Sequence, residues 1–302
     1  MRLGLVCLFA EQPIKFRRTT AKYQSKFSRA DQKKRITEII LHNGDSLLAA
    51  VQYCKNNSIG AFRVNSQIWP LKTHPQLGYD ISELPESKEI LRRYALVKQF
   101  AEANNIRTLL HPDQFVVLSS PRQEVVEKSI LELEYQAELA MLIGADILNI
   151  HAGGAYNDKP SALERFSQAL LQLSQPARNL LTIENDDISY SPSDLLPLCN
   201  KFHLPLIYDV HHHRCNPDGL SIAEATKLAI ATWDREPVMH ISSPRNGWDN
   251  GACRPHSDYI NFDDFPDIWR NMEITIEVEA KAKELAVLKL RNQLQQSTTV
   301  KV

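Results

Sequence analysis

The sequence predicts an α/β protein, a single-domain (β/α)8 TIM barrel, and three observations predict it. Eight short, nearly continuous apolar runs alternate with amphipathic segments, the pattern of repeated βα units on a parallel sheet. Eight is also the number of strands that closes the barrel. The third to the eighth run each carry a histidine or a carboxylate at or next to the last residue. A parallel barrel gathers all its C-terminal strand ends on one mouth, where the chemistry of this fold sits.

The first run, Arg2 to Phe9, reads as a buried strand and not a signal peptide, because it is short, Glu11 follows closely and no cleavage region appears. Ile59 to Val64 is the second, preceded by Leu47, Leu48, Val51 and Cys54 at the spacing of an outer helix. After the third, Ile106 to His111, the residues Ile130, Leu133, Ala137, Ala140 and Met141 mark another helix. Asp146 to His151 and Leu180 to Glu184 flank a helix for which Ser161, three residues before Glu164, offers a capping-box start. Ser191-Pro192 opens the helix leading to Leu204 to Asp209, and Pro237 to Ile241 and Glu273 to Glu279 complete the eight. A last helix from Lys281 to about Gln295 ends the barrel domain, residues 1–296, leaving a polar tail, 297–302, expected to fray. Three connections are longer than a barrel needs: Ala10 to His42, Asn65 to Ser87 and Ser242 to Met272. Each follows a strand's C-terminal end and overhangs the mouth, where long loops shape substrate binding.

The 302 residues, 43% hydrophobic and 24% charged, match a soluble globular protein with a substantial core. A net charge of −1 gives no global attraction to nucleic acid, so any polyanion binding must come from a local patch. Cys7, Cys54, Cys199, Cys215 and Cys253 form no CxxC pair and read as free thiols of a reducing compartment. No stretch approaches the length of a membrane span, and a cytoplasmic location is expected.

The strand-end ligands are His111, His151, Glu184, Asp209 with His212 one turn on, His240 and Glu279. Imidazole and carboxylate suit zinc, manganese and iron, and a carboxylate has two oxygens with which to bridge two ions. Glu184 is the natural bridge, with Asn185, Asp186 and Asp187 expected to support it. A lone histidine at a strand end is more often a surface or core residue; six successive strands with the same feature point to a polynuclear metal centre. Behind His151, Ala152-Gly153-Gly154 leaves backbone open to an approaching phosphate. Of His211, His212 and His213, alternating directions leave one or two to contribute, and His42 and His203 have no evident partner.

These residues bring a family into view. The chain resembles the UV damage endonucleases, metal-dependent DNA-repair nucleases whose barrel is akin to that of the endonuclease IV-type abasic-site nucleases. The likeness runs nearly end to end, through His111-Pro-Asp-Gln-Phe115, Asn149-Ile-His-Ala-Gly-Gly154, Ile183-Glu-Asn-Asp186, Tyr208-Asp-Val-His-His-His213, Met239-His-Ile-Ser-Ser-Pro244, His256-Ser-Asp258 and Glu279-Ala-Lys-Ala-Lys-Glu284. The resemblance implies two to three divalent ions, manganese first and zinc second. One would be held by His111, His151 and Glu184, a second by Glu184, Asp209, His240 and Glu279, and a third by His212 and His256. It also implies His74 near the scissile phosphate and Gln114 with Phe115 as the pair that probes the duplex at a lesion. Two departures stand out. Val238 occupies a position where the family often has lysine, and the region from Leu5 to Ala10 diverges.

The implied activity is a nick immediately 5′ of cyclobutane dimers and 6-4 photoproducts by metal-activated water, the first step of excision repair. Catalysis would rest on Glu184 and His74. A crosslinked dimer stacks and pairs poorly, so extruding it costs less than extruding normal bases. Phosphate attraction falls to the stretch Lys15 to Arg35, where Lys15, Arg17, Arg18 and Lys22 begin a basic run interleaved with Phe16, Tyr23 and Phe27. Arg245 and Arg254 are expected helpers. The expected partner is damaged double-stranded DNA, bound by a monomer, at the nucleoid of a bacterial cell. Rival readings are a general abasic-site endonuclease and a metal-dependent sugar isomerase or epimerase on the same barrel.

Overall fold

The computed structural model describes residues 1–299. Eight parallel strands close into a barrel in sequence order. They are β1 (Arg2–Val6), β2 (Ala61–Val64), β3 (Arg107–Leu110), β4 (Leu148–His151), β5 (Leu181–Glu184), β6 (Leu206–Asp209), β7 (Val238–Ile241) and β8 (Thr275–Val278). All eight expected runs are strands, each shorter than its apolar run. The trimmed residues at either end turn into loops and helix caps.

Buried on both faces, the strands divide their side chains by parity. Ala61, Leu109, Ile147, Ile207 and Val238 point inward and form the apolar floor of the barrel. Phe62, Leu110, Leu148, Ile183, Leu206, Met239 and Ile276 point outward into the main core against the helices. One inward step toward the C-terminal end, the parity that builds the floor places Arg63, Asn149, Asp209 and His240 above it, all buried. The register sets His151 beside Glu184 and Asp209 beside His240 on adjacent strands.

Local signals explain most helix starts. Ser191 and Asp194 form the expected capping box of the helix Pro192–Phe202. The start near Ser161 is corrected: the helix runs Lys159–Leu170 and its cap is Asp158, whose side chain accepts the Ser161 N–H. The last helix begins later and runs further than expected, Glu284–Thr299, so part of the 297–302 segment is helical and the remainder lies outside the described residues. The connection Ala10 to His42 is also corrected, because the helix Arg29–Asn56, capped by Ser28, takes in Arg29, Lys33, Lys34 and Arg35. His42 lies in that helix with Nε2 against the Lys15 carbonyl, and His203 closes the helix Pro192–Phe202 in the left-handed region. Among the described residues no helix is long and apolar enough to cross a membrane.

Candidate metal centre

Glu184 ends β5 only 1% exposed, at the middle of a ring of histidines. Its Oε2 lies 3.2 Å from His111 Nε2 and 3.8 Å from His151 Nε2, and its Oε1 lies 3.3 Å from His212 Nδ1 and 3.1 Å from His240 Nδ1. Asp209 Oδ2 is 3.6 Å from His212 Nδ1, and Glu279 approaches His240 Nδ1 at 3.5 Å and His256 Nδ1 at 3.8 Å. All eight residues expected as ligands therefore form one chain of contacts across the mouth.

Whether these residues fit metal ions is tested by their unpaired atoms. Buried polar groups are almost always hydrogen-bonded, yet His151 Nδ1, His240 Nδ1 and Asp209 Oδ2 are buried without a hydrogen bond. His240 Nδ1 is close to Glu184 yet unbonded to it, an arrangement that fits two donors sharing a cation. Two groups have ligand atoms within 4.8 Å of one another: His111, His151 and Glu184, and Glu184, Asp209 and His212. The first is the expected set. In the second, His212 closes on Glu184 and Asp209, whereas the resemblance implied His240 and Glu279 there and paired His212 with His256; the rings of His212 and His256 are 6.4 Å apart.

Electrostatics agree with this geometry. Burial opposes ionisation of Glu184, but the pull of His240 and His151 and hydrogen bonds from His111 and His212 hold its carboxyl well below the usual range. Burial pushes His151 down. For His212 burial is outweighed by Asp209 and Glu184, which raise it well above the ordinary imidazole value.

The supporting residues differ from those expected. Glu184 is held by Asn149, whose Nδ2 donates to Oε2 at 2.5 Å and whose own Oδ1 accepts from Thr182 Oγ1 at 3.1 Å. Asn185 instead fixes Asp209, accepting its N–H and donating to its carbonyl, each at 2.9 Å. Asp186 caps its own loop by accepting the N–H of Ile188 at 2.8 Å, and Asp187 meets Arg254 at 3.4 Å. The three consecutive histidines lie on the short helix Val210–Cys215 and not on a strand and loop, so they fan out. His212 faces the ligands, while His213 is pinned by Tyr208 Oη at 2.7 Å and Asp218 at 2.8 Å, and His211 packs on His256 and Trp248. Gly153 is required by its φ of +87° and by packing, since a Cβ there would meet Val117 at 2.6 Å, and Gly153 and Gly154 line the cleft beside His151.

Two charged residues escaped sequence reading. Arg63 of β2 and Glu277 of β8 are buried beneath His240 and Glu279, with Arg63 bonded to both carboxylates. The signal was a charge inside an apolar strand at inward parity. Val238 lies in the apolar floor and brings no polar group to this level.

Around the mouth, a cleft of about 380 Å³ is lined by His111, Gln114, His151, Gly153, Ile188 and His212. Phe115 stands 78% exposed and lines the adjoining cleft, so it is no core aromatic, and Gln114 beside it is exposed as well. Arg18 lines the adjoining cleft with Gln114 and Phe115. Lys15, Arg17, Arg18, Lys22 and Arg245 are exposed. The backbone that carries the first of these is clamped, because buried Asn43 accepts the Arg17 N–H at 2.7 Å and donates to its carbonyl at 3.0 Å. Arg29 is spent on the Leu77 and Gly78 carbonyls and Lys33 on Glu83. His74 stands apart from the ligand ring, in a second cleft with Phe115, and its Nδ1 accepts the N–H groups of Gln76 and Leu77 at 3.2 Å.

Fold and site together define a (β/α)8-barrel protein with a histidine–carboxylate cluster, suited to divalent ions, at the C-terminal mouth. The profile of the UV-endonuclease UvdE family matches residues 1–302, and the chain belongs to that family. It is 31% identical to a UV DNA damage endonuclease of Bacillus velezensis over 97% of this chain and 93% of that protein. It is 33% identical to one of Nostoc sp. over 96% of this chain and 89% of that protein. The crystal structure of SacUVDE superposes with a TM-score of 0.88 at 28% identity, over 99% of each chain. Endonuclease IV from Thermus thermophilus, at 17% identity over 98% of this chain and all of its own, shares the fold with a TM-score of 0.64.

Proposed function

We propose that this protein is an endodeoxyribonuclease that nicks duplex DNA immediately 5′ of UV photoproducts, both cyclobutane dimers and 6-4 adducts, and so opens excision repair. The observation that carries the reading is the exposed Gln114-Phe115 pair: Gln114 lines the cleft with His111, His151 and His212, and Phe115 lines the adjoining cleft with His111 and Gln114. A side-chain wedge and a phosphodiester-cutting centre are what incision beside a distorted base pair requires.

Two to three divalent ions, manganese first and zinc second, held by His111, His151, Glu184, Asp209, His212, His240, His256 and Glu279, supply water activation and charge neutralisation when bound. Glu184 would be the shared ligand, since one of its oxygens faces His111 and His151 and the other faces His212 and His240. Phe115 stacks where extruded bases leave a gap and Gln114 hydrogen-bonds to their orphaned partners. Lys15, Arg17, Arg18, Lys22 and Arg245 neutralise backbone phosphates, and the free Nε2 of His74 contacts a phosphate oxygen. The protein works as a monomer on the bacterial nucleoid.

The test uses the purified protein with manganese and three matched duplexes carrying a cyclobutane dimer, an abasic site or no damage, each with a chelator control. A chelator-sensitive nick 5′ of the dimer is expected. Cutting of the abasic duplex alone would make the protein a general abasic-site endonuclease, and cutting of none would return a barrel epimerase to consideration.

A further inference from the structure

Beneath the ligand ring lies a buried charged cluster that ligand counting does not use. Glu277 is 2% exposed, and its Oε2 is 2.7 Å from His240 Nε2 and 2.9 Å from Arg63 Nε. Arg63 Nη2 reaches the same oxygen at 2.7 Å and also bonds Glu279. Such a unit can be purely structural, an ion pair stapling β2 to β8. The imidazole decides otherwise.

A nitrogen lone pair and a carboxylate oxygen, both acceptors, would repel at 2.7 Å, so the proton between them sits on Nε2 and is donated to Glu277. Arg63 Nη2 also lies 3.4 Å from this nitrogen and could donate only to its lone pair, but the carboxylate at 2.7 Å is the closer partner and requires the proton on Nε2, and Arg63 already gives its N–H groups to Glu277. With Nε2 committed downward, the other ring nitrogen faces up. Nδ1 lies 3.1 Å from Glu184 and 3.5 Å from Glu279, and it is buried without a hydrogen bond.

We infer that Glu277 is the positioning residue of His240: it accepts the Nε2–H and thereby aims Nδ1 at Glu184 and Glu279 as a metal ligand. Arg63 anchors the pair, neutralising Glu277 and tying it to Glu279. The partner comes from β8 because β7 has none to give: Val238, the next inward residue below His240, is part of the apolar floor, whereas the β7–β8 register sets Glu277 directly beside His240. A carboxylate behind a ligating histidine fixes its tautomer and raises its basicity, and loss of such a partner typically costs about 10–100-fold in metal affinity.

This inference rests on the metal reading above, and its test separates the two. Metal content and Mn²⁺ and Zn²⁺ affinity are measured on the full chain for wild type, Glu277→Gln and Glu277→Leu, with thermal melts as a folding control. Histidine ¹⁵N NMR of the Zn²⁺-loaded wild type reads the His240 tautomer directly. Glu277→Leu is expected to lose about 10–100-fold in affinity at one ion, while Glu277→Gln, whose amide oxygen still accepts the Nε2–H, stays within a few-fold of wild type. The NMR spectrum should show Nε2 protonated and Nδ1 bound. Wild-type affinity in Glu277→Leu, or a His240 bound through Nε2, overturns the positioning role and leaves the metal reading intact. A wild type that takes up no ion overturns both. Should Glu277→Leu fail to fold, the wild-type spectrum decides.

Discussion

At position 115 an aromatic ring stands in solvent, where the hydrophobic effect alone would not leave it. A ring with so few contacts adds little to stability, so Phe115→Ala should change it by less than about 0.5 kcal/mol. Stacking on bases is worth roughly 1–3 kcal/mol, so the same variant should discriminate damaged from intact duplex about tenfold less well in competition binding; unchanged discrimination would deny the ring its role. Glu184→Gln keeps the shape and removes the charge shared by four histidines. We expect a folded protein, by circular dichroism, with no measurable incision. Asp218, which the ligand ring does not use, offers a pH test. Burial opposes its ionisation, but the backbone and hydroxyl of Ser193, the Leu220 N–H and the His213 ring hold its carboxyl down to about 2. An unfolded aspartate titrates near 3.9. The folded value is the lower one, so the stabilisation, about 2–3 kcal/mol, is complete above about pH 4 and lost as pH falls through about 2. Asp218→Asn should therefore unfold more readily at pH 7 in urea, with the gap to wild type closing toward pH 2.

At the scale of elements, each inward strand position does a different job at a different height. The floor is apolar, the next step carries Arg63, Asn149, Thr182 and Glu277, and the strand ends carry ligands. A ligand at a strand end is legible in sequence because it interrupts an apolar run where the run should stop. Arg63 and Glu277 were not read, since a charge in mid-strand has no meaning until its partner on another strand is known. The basic run was legible as a charge excess but not as a surface. Tertiary contacts draw off Arg29 and Lys33 and leave Lys15, Arg17, Arg18 and Lys22 exposed on a clamped backbone. Replacing those four by alanine should weaken binding to any duplex alike and flatten the salt dependence by about 0.9 per lost phosphate contact. An unchanged slope would move DNA contact to another face.

For the whole molecule, the ligands come from the ends of six strands, one short helix and one loop, so ions at the mouth would tie the barrel together across its circumference. Manganese at about 100 times its dissociation constant should add about 2.7 kcal/mol, a Tm rise of roughly 5 °C for a chain of this size. Calorimetry with and without manganese checks this, and Glu184→Gln should abolish the rise. By itself the sequence determined the eight strands, the barrel and the ring of strand-end ligands, because periodicity and residue type act locally and a parallel barrel has one rim to put strand ends on. Only the tertiary structure decided which nitrogen of each histidine faces Glu184, that His212 closes on Glu184, that Asn149 holds the central carboxylate, and that Arg63 and Glu277 lie beneath His240. Those are contacts between residues tens to hundreds of positions apart, at distances of a few ångströms. Strand register and closure fix them, and no spacing along the chain encodes them.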